Sequence, residues 1–243
     1  MIRTVFTTPG PGTVRAQHTG TFMADFTREE IEALYKVMAA RRDMRHFSSE
    51  PLPPELLGRL LAAAHLAPSV GLMQPWRFIH VRDRRLRERI HALVDEERSR
   101  TAAALGERDE EFMRLKVEGI LECGEVLVAG LAPDRDRHVF GRRTMPEMDL
   151  ASVACAIQNM WLAARAEGVG MGWVSLFEPE ALRELLRMPA GAKPVAVLCL
   201  GHVPEFYPRP MLEMNQWTLG CSLASLVHTD YWGGIDGAES RAD

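Results

Sequence analysis

Apolar positions recur along the chain at helical spacing more often than at strand spacing. Ile31, Leu34, Tyr35 and Met38 share one helical face. They follow Thr27-Arg28-Glu29-Glu30, a capping box in which the Thr27 hydroxyl takes an amide and Glu30 reaches back. Pro53-Pro54-Glu55 opens a second helix with Leu56, Leu57, Leu60, Leu61 and Ala64 as its stripe, stopping at Ala67-Pro68. Phe78 to Val81 predicts a short strand, Arg84 to Arg100 a charged helix, and Glu107 to Glu122 a further helix carrying Phe112, Leu115 and Ile120. Between these, Ala102 to Gly106 reads as weakly structured, part of a mobile lid over about 95–122. Val126 to Ala129 predicts a strand. Asp149 is expected to cap a slim, Ala-rich helix that runs to about Glu167 and ends at Gly168. Gly172 to Leu176 reads as strand or loop, Pro179 to Met188 as a helix, and Val195 to Leu200 as a fully buried strand. Beyond Gly201, Pro204, Pro208 and Pro210 mark an extended arm. Helices interspersed with a few short strands predict an α+β layer.

Composition narrows the class. The 243 residues are enough for one large core, expected as a single domain over 23–232. Residues 1–22, rich in Thr, Gly and Pro, read as a disordered extension, and 233–243 as a flexible tail. A net charge of −4 argues against nucleic acid as a partner. The apolar run from Leu150 to Ala166 is broken by Gln158, Asn159 and Arg165, so it predicts a buried helix and no membrane association. Cys123, Cys155, Cys199 and Cys221 form no CxxC pair. Cys155 and Cys199, inside apolar runs, read as reduced core residues, which with the lack of a leader-like apolar stretch predicts a cytoplasmic protein. The eight histidines show no metal-ligand spacing, so no metal is expected.

Candidate chemistry concentrates in two stretches. In Arg41-Arg42-Asp43-Met44-Arg45-His46-Phe47, three guanidiniums surround one carboxylate where a helix hands over to a loop. Arginine forks there can converge on a phosphate, and a solvated helix end is the plainer alternative. An acid beside a redox ring can move protons; burial would raise its pKa and the arginines would lower it. The second stretch, Ala67-Pro68-Ser69-Val70-Gly71-Leu72-Met73-Gln74-Pro75-Trp76-Arg77-Phe78, offers Ser69 and a Gly71 that lets backbone approach a ring, with Trp76 best read as core. The glycines at 168, 170 and 172 follow a helix and precede a strand, the wrong context for dinucleotide binding. Ser175 stands in no G-x-S-x-G elbow, so a hydrolase is a poor reading.

Together the two stretches resemble the flavin-binding signatures of the nitroreductase superfamily, over roughly residues 25–220. Ordinary members usually carry Ser where this chain has Asp43, and the Asp resembles the 5,6-dimethylbenzimidazole synthase branch. The resemblance implies a nitroreductase-like fold, a central, mostly antiparallel sheet flanked by helices, in an intertwined homodimer with FMN at the subunit interface. It implies that Arg41, Arg42, Asp43, Met44, Arg45, Ser69, Gly71, Ser175 and Arg209 contact FMN. Asp43 would act in proton transfer, with Ser175 assisting by hydrogen bonding. It further implies that FMNH2 is consumed as substrate with O2 to give 5,6-dimethylbenzimidazole and D-erythrose 4-phosphate, a step of cobalamin biosynthesis. A separate flavin reductase would supply the electrons, since no convincing nicotinamide motif is present. An NAD(P)H-dependent nitroreductase or dehalogenase that retains FMN, and a flavin-sequestering protein without catalysis, are the alternatives.

Overall fold

The structure, a computed structural model, describes residues 26–233. The expected N-terminal extension and the tail beyond Gly233 lie outside the described residues. Two compact units divide after Lys36. The first holds the start of α1 (Arg28–Ala40) and its capping box, where Thr27 N donates to Glu30 Oε2 at 2.7 Å and Glu30 N to Thr27 Oγ1 at 3.2 Å.

The second unit is built on four strands: β1 (Trp76–Val81), β2 (Glu125–Leu131), β3 (Gly170–Val174) and β4 (Lys193–Gly201). Their order is β1-β2-β4-β3 and every pair is antiparallel. β2 is buried along its whole length, as is most of β4, so both read as continuous apolar runs rather than alternations. One core cluster joins α2 (Pro54–His65) and α5 (Met148–Ala166) to the sheet through Leu60, Met160, Leu127 and Leu198. A second core cluster joins α3 (Arg84–Leu105) and α6 (Pro179–Leu185) to it through Ile90, Leu182 and Val197. The helix-flanked antiparallel sheet agrees with the expectation.

Several local expectations are corrected. Ala102 to Leu105 continue α3, because three alanines favour helix. The helix expected over 107–122 is only α4 (Asp109–Arg114). Leu115 turns extended, Arg98 Nη2 donates to the Met113 and Leu115 carbonyls, and a Cβ at Gly119 would lie 2.6 Å from the Phe47 ring. Tertiary packing therefore stops that helix. Asp149 does not cap α5; it is buried, and its Oδ2 accepts from Arg135 Nε at 2.8 Å and Arg142 Nη2 at 3.2 Å. Cys123 and Cys199 are buried, whereas Cys155 is exposed on the outer side of α5.

Candidate functional site

The segment after α1 runs beside the free edge of β3. Asp43 bridges Met171 in parallel, and Met44 N donates to Met171 O at 3.0 Å. Such close approach is possible because β3 carries no side chain at two positions. A Cβ at Gly172 would lie 2.3 Å from Met44 O, and one at Gly170 would lie 2.2 Å from Val203 Cγ1. Gly172 thus makes room for the arginine segment and Gly170 for Val203.

A cavity of about 380 Å³ opens against this edge, within the range of small-molecule sites. Arg41, Arg42, Asp43, Arg45 and Ser175 all border it. Asp43 is held at both oxygens: Oδ1 accepts from Trp173 N at 3.0 Å and Oδ2 from Arg45 Nη2 at 2.6 Å. Burial pushes its carboxyl above the ordinary 3.8, opposed by the Arg45 charge, the Trp173 amide and Arg41. About 42% of its side-chain surface still faces the cavity, so solvent there tempers the rise. Arg45 is 8% exposed and also donates to Trp173 O at 2.9 Å. It is the brace of Asp43 rather than an open donor.

Arg41 and Arg42 differ sharply. The Arg41 guanidinium lies 4.7 Å from the Trp161 ring centroid and has no ion pair or hydrogen bond among the described residues. Arg42 instead spends its terminal nitrogens on the carbonyls of Ala39, Arg41 and Pro208, leaving Nε buried without a partner. Ser175, exposed just past β3, makes no side-chain hydrogen bond among the described residues.

Not every expected residue comes to this cavity. The Met44 side chain is fully buried in the protein, so its contact with a ligand would have to come from backbone. Arg209 is exposed beside Pro210, which does border the cavity. Ser69 and Gly71 lie elsewhere: Ser69 Oγ accepts from Gln74 N at 3.0 Å, Val70 N donates to Ser152 Oγ at 3.1 Å, and Gly71 faces Phe140. Ser152 and Trp161 both sit on α5, nine residues apart, or about 13 Å along the helix. The loop is unusual, with positive φ at Gly71, Leu72 and Gln74.

Sequence reasoning missed the apolar half of the cavity. Phe112, Leu115 and Val117 from the α4 segment border it together with Leu212 and Trp217 of the arm, which includes α7 (Met211–Met214). Arg108 stacks on Trp217 at 3.6 Å and donates to its carbonyl at 3.0 Å. Tyr207 was missed too; its hydroxyl meets Arg45 N at 3.2 Å and His46 Nδ1 at 2.6 Å. Only the aromatic content of 207–217 hinted at these roles. Among the described residues, no group of three His, Cys, Asp or Glu side chains could hold a metal ion, and no helix is long and apolar enough to cross a membrane.

The residues of this cleft lie within a stretch that known proteins share. A family model described as Nitroreductase family matches residues 38–202, from the end of α1 through β4. A 5,6-dimethylbenzimidazole synthase from Rhodospirillum rubrum is 41% identical over 204 residues, covering 82% of this chain and 94% of that protein. Another from Rhodobacter capsulatus is 38% identical over 196 residues, 79% of this chain and 94% of that protein. Among solved structures, an oxidized iodotyrosine deiodinase bound to FMN and 3-iodo-L-tyrosine superposes with a TM-score of 0.62 at 22% identity, covering 72% of this chain and 92% of that one. The last likeness is one of fold; the sequence matches go further, and by them this chain belongs to the nitroreductase family.

Proposed function

We propose that this chain is a 5,6-dimethylbenzimidazole synthase, which with O2 converts FMNH2 to 5,6-dimethylbenzimidazole and D-erythrose 4-phosphate in cobalamin biosynthesis. The observation that carries this reading is Asp43, a braced carboxylate on a cavity that Ser175, without a side-chain partner among the described residues, also borders. The named synthases to which the chain is similar support it.

The residues fit the flavin. Arg41 offers an open guanidinium fork and Arg42 an unpartnered buried Nε, a donor set suited to phosphate. Phe112, Leu176 and Trp217 offer apolar surface for a planar ring. When bound, the reduced flavin supplies the electrons for O2 and the carbon skeleton that becomes product. The chain's own part is to hold, cover and move protons. Arg41, Arg42 and the rim residue Arg209 would hold the phosphate end. Asp43, held by its two donors, would in its ionised form accept a proton at its open lone pairs and return it later. Ser175 would donate or accept one hydrogen bond beside it. The wall formed by the lid and the arm would exclude water.

Ser69 and Gly71 would complete the site from a second copy in an intertwined homodimer. The arm supports this, for Leu219, Leu223, Leu226, Val227 and Trp232 are exposed, Trp232 by 95%. A separate flavin reductase would deliver FMNH2 in the cytoplasm.

The test is to bind photoreduced FMN anaerobically, admit O2 and identify products by mass spectrometry. Dimethylbenzimidazole from the wild type but not from Asp43→Ala is the expected result. Return of oxidised FMN with peroxide overturns the proposal and points to a nitroreductase that keeps its flavin, or to a flavin carrier.

A further inference from the structure

Away from this cleft, α3 and α6 meet over the second core cluster and leave two adjoining surface cavities, of about 540 and 320 Å³. Arg89 and Arg187 border both, and Arg85 borders the smaller. None of these three has an ion pair or side-chain hydrogen bond among the described residues. Their neighbours do: Arg84 pairs with Glu88 and Arg183 with Glu180. Arg85 and Arg89 also stand one helical turn apart, a spacing at which like charges oppose the helix. Two carboxylates lie nearby. Asp83 spends Oδ1 capping α3, on Arg85 N and Leu86 N, and Glu184 borders only the larger cavity. The smaller cavity is floored by Ile79, Leu86, Leu185 and Leu186.

Arg187 adds a second anomaly. It closes α6 with φ at +52°, its N donating to Glu184 O and Met188 N donating to Arg183 O. Glycine is favoured at such a helix end, and the same chain uses Gly168 there after α5, at φ +75°. An arginine here carries backbone strain, and its charge joins two others that lack a counter-ion. A bound anion offsets the uncompensated charge, and a role in holding it accounts for an arginine where glycine would be unstrained.

We infer that the smaller cavity binds a phosphate monoester. Arg85, Arg89 and Arg187 hold the dianion, for which three guanidinium forks are better matched than for a single carboxylate. The organic part rests on Leu86, Leu185 and Leu186. The inference is independent of the flavin reading.

Titration calorimetry with inorganic phosphate and with phenyl phosphate tests it, on wild type, Arg187→Gly and Arg41→Gln. Phenyl phosphate binds more tightly than inorganic phosphate, because only it uses the apolar floor. Arg187→Gly weakens this binding by about tenfold while raising the melting temperature by about 2–4 °C, since glycine relieves the strain. Arg85→Gln/Arg89→Gln weakens it with a rise of no more than about 1–2 °C, and Arg41→Gln leaves it intact. Binding that Arg187→Gly leaves undiminished, that follows Arg41 instead, or that is absent at millimolar phenyl phosphate overturns the site. Equal affinity for the two probes overturns the assignment of an organic ligand.

Discussion

At the scale of single residues, the site is a problem of holding one carboxylate still and ready. Asp43 has two donors on its own chain, and they favour its ionised form; burial works the other way and dominates, so its carboxyl lies above the ordinary 3.8. As a base it must be ionised. The turnover rate therefore falls on the acid side as pH drops through this raised value, and the limb is read from a pH–rate profile under single-turnover conditions. Asp43→Asn should slow product formation by about 10²–10⁴-fold, with flavin binding nearly unchanged and the acid limb gone. A limb that persists in Asp43→Asn assigns it to another group. Trp161 is the quieter partner. Its ring carries Arg41, and Nε1 donates to Arg42 O at 3.2 Å. Trp161→Phe keeps a ring but loses that bond, a cost of about 1 kcal/mol. The flavin Kd should rise about fivefold with the rate of the bound complex unchanged.

At the scale of elements, the arm from Pro204 and the α4 segment close one side of the cleft on each other, through Arg108 on Trp217 and Trp217 on Phe112 at 6.1 Å. A cation over an indole is worth about 0.5–2 kcal/mol. Arg108→Ala should therefore speed flavin release by about two- to thirtyfold, measured by stopped-flow displacement, and lower the melting temperature by about 1–8 °C. This closure also shows what the sequence made legible. The capping box, the stripe of α2, the apolar runs of β2 and β4 and the arginine cluster each follow from local chemistry, because a few adjacent residues decide them. The end of α4 does not, for Gly119 must be small because the Phe47 ring and the Arg45 carbonyl lie against it. Likewise the glycines at 170 and 172 have no evident role until Met44 and Val203 are placed beside them. Asp149 looked like a cap because Asp commonly is one; two arginines from the preceding loop drew it inward instead. Partners outside the element itself, from as near as the preceding loop to as far as another part of the chain, account for each difference.

At the scale of the whole molecule, the proposed site is divided. Arg41, Asp43 and Ser175 share one cavity, while Ser69 and Gly71 hold a strained loop near the other end of α5, beside the exposed Phe140 and Leu72. The arm from Leu219 to Trp232 leaves large apolar side chains uncovered, more than a stable isolated chain ordinarily shows. The proposed two-fold pairing, bringing the loop of one copy to the cleft of the other, would account for both facts, since each surface would then meet a different surface twice. The arrangement has a consequence that a one-chain site lacks. Asp43→Asn removes the chemistry of one half, and Gly71→Trp blocks the approach of the other; each homodimer is inactive. If the two are unfolded, mixed equally and refolded, random pairing makes half the dimers mixed, and each of these keeps one intact site. Activity should return to about a quarter of the wild-type value, measured as dimethylbenzimidazole formed per chain. A site built from one chain gives no recovery, because every Asp43→Asn chain lacks its acid and every Gly71→Trp chain its loop.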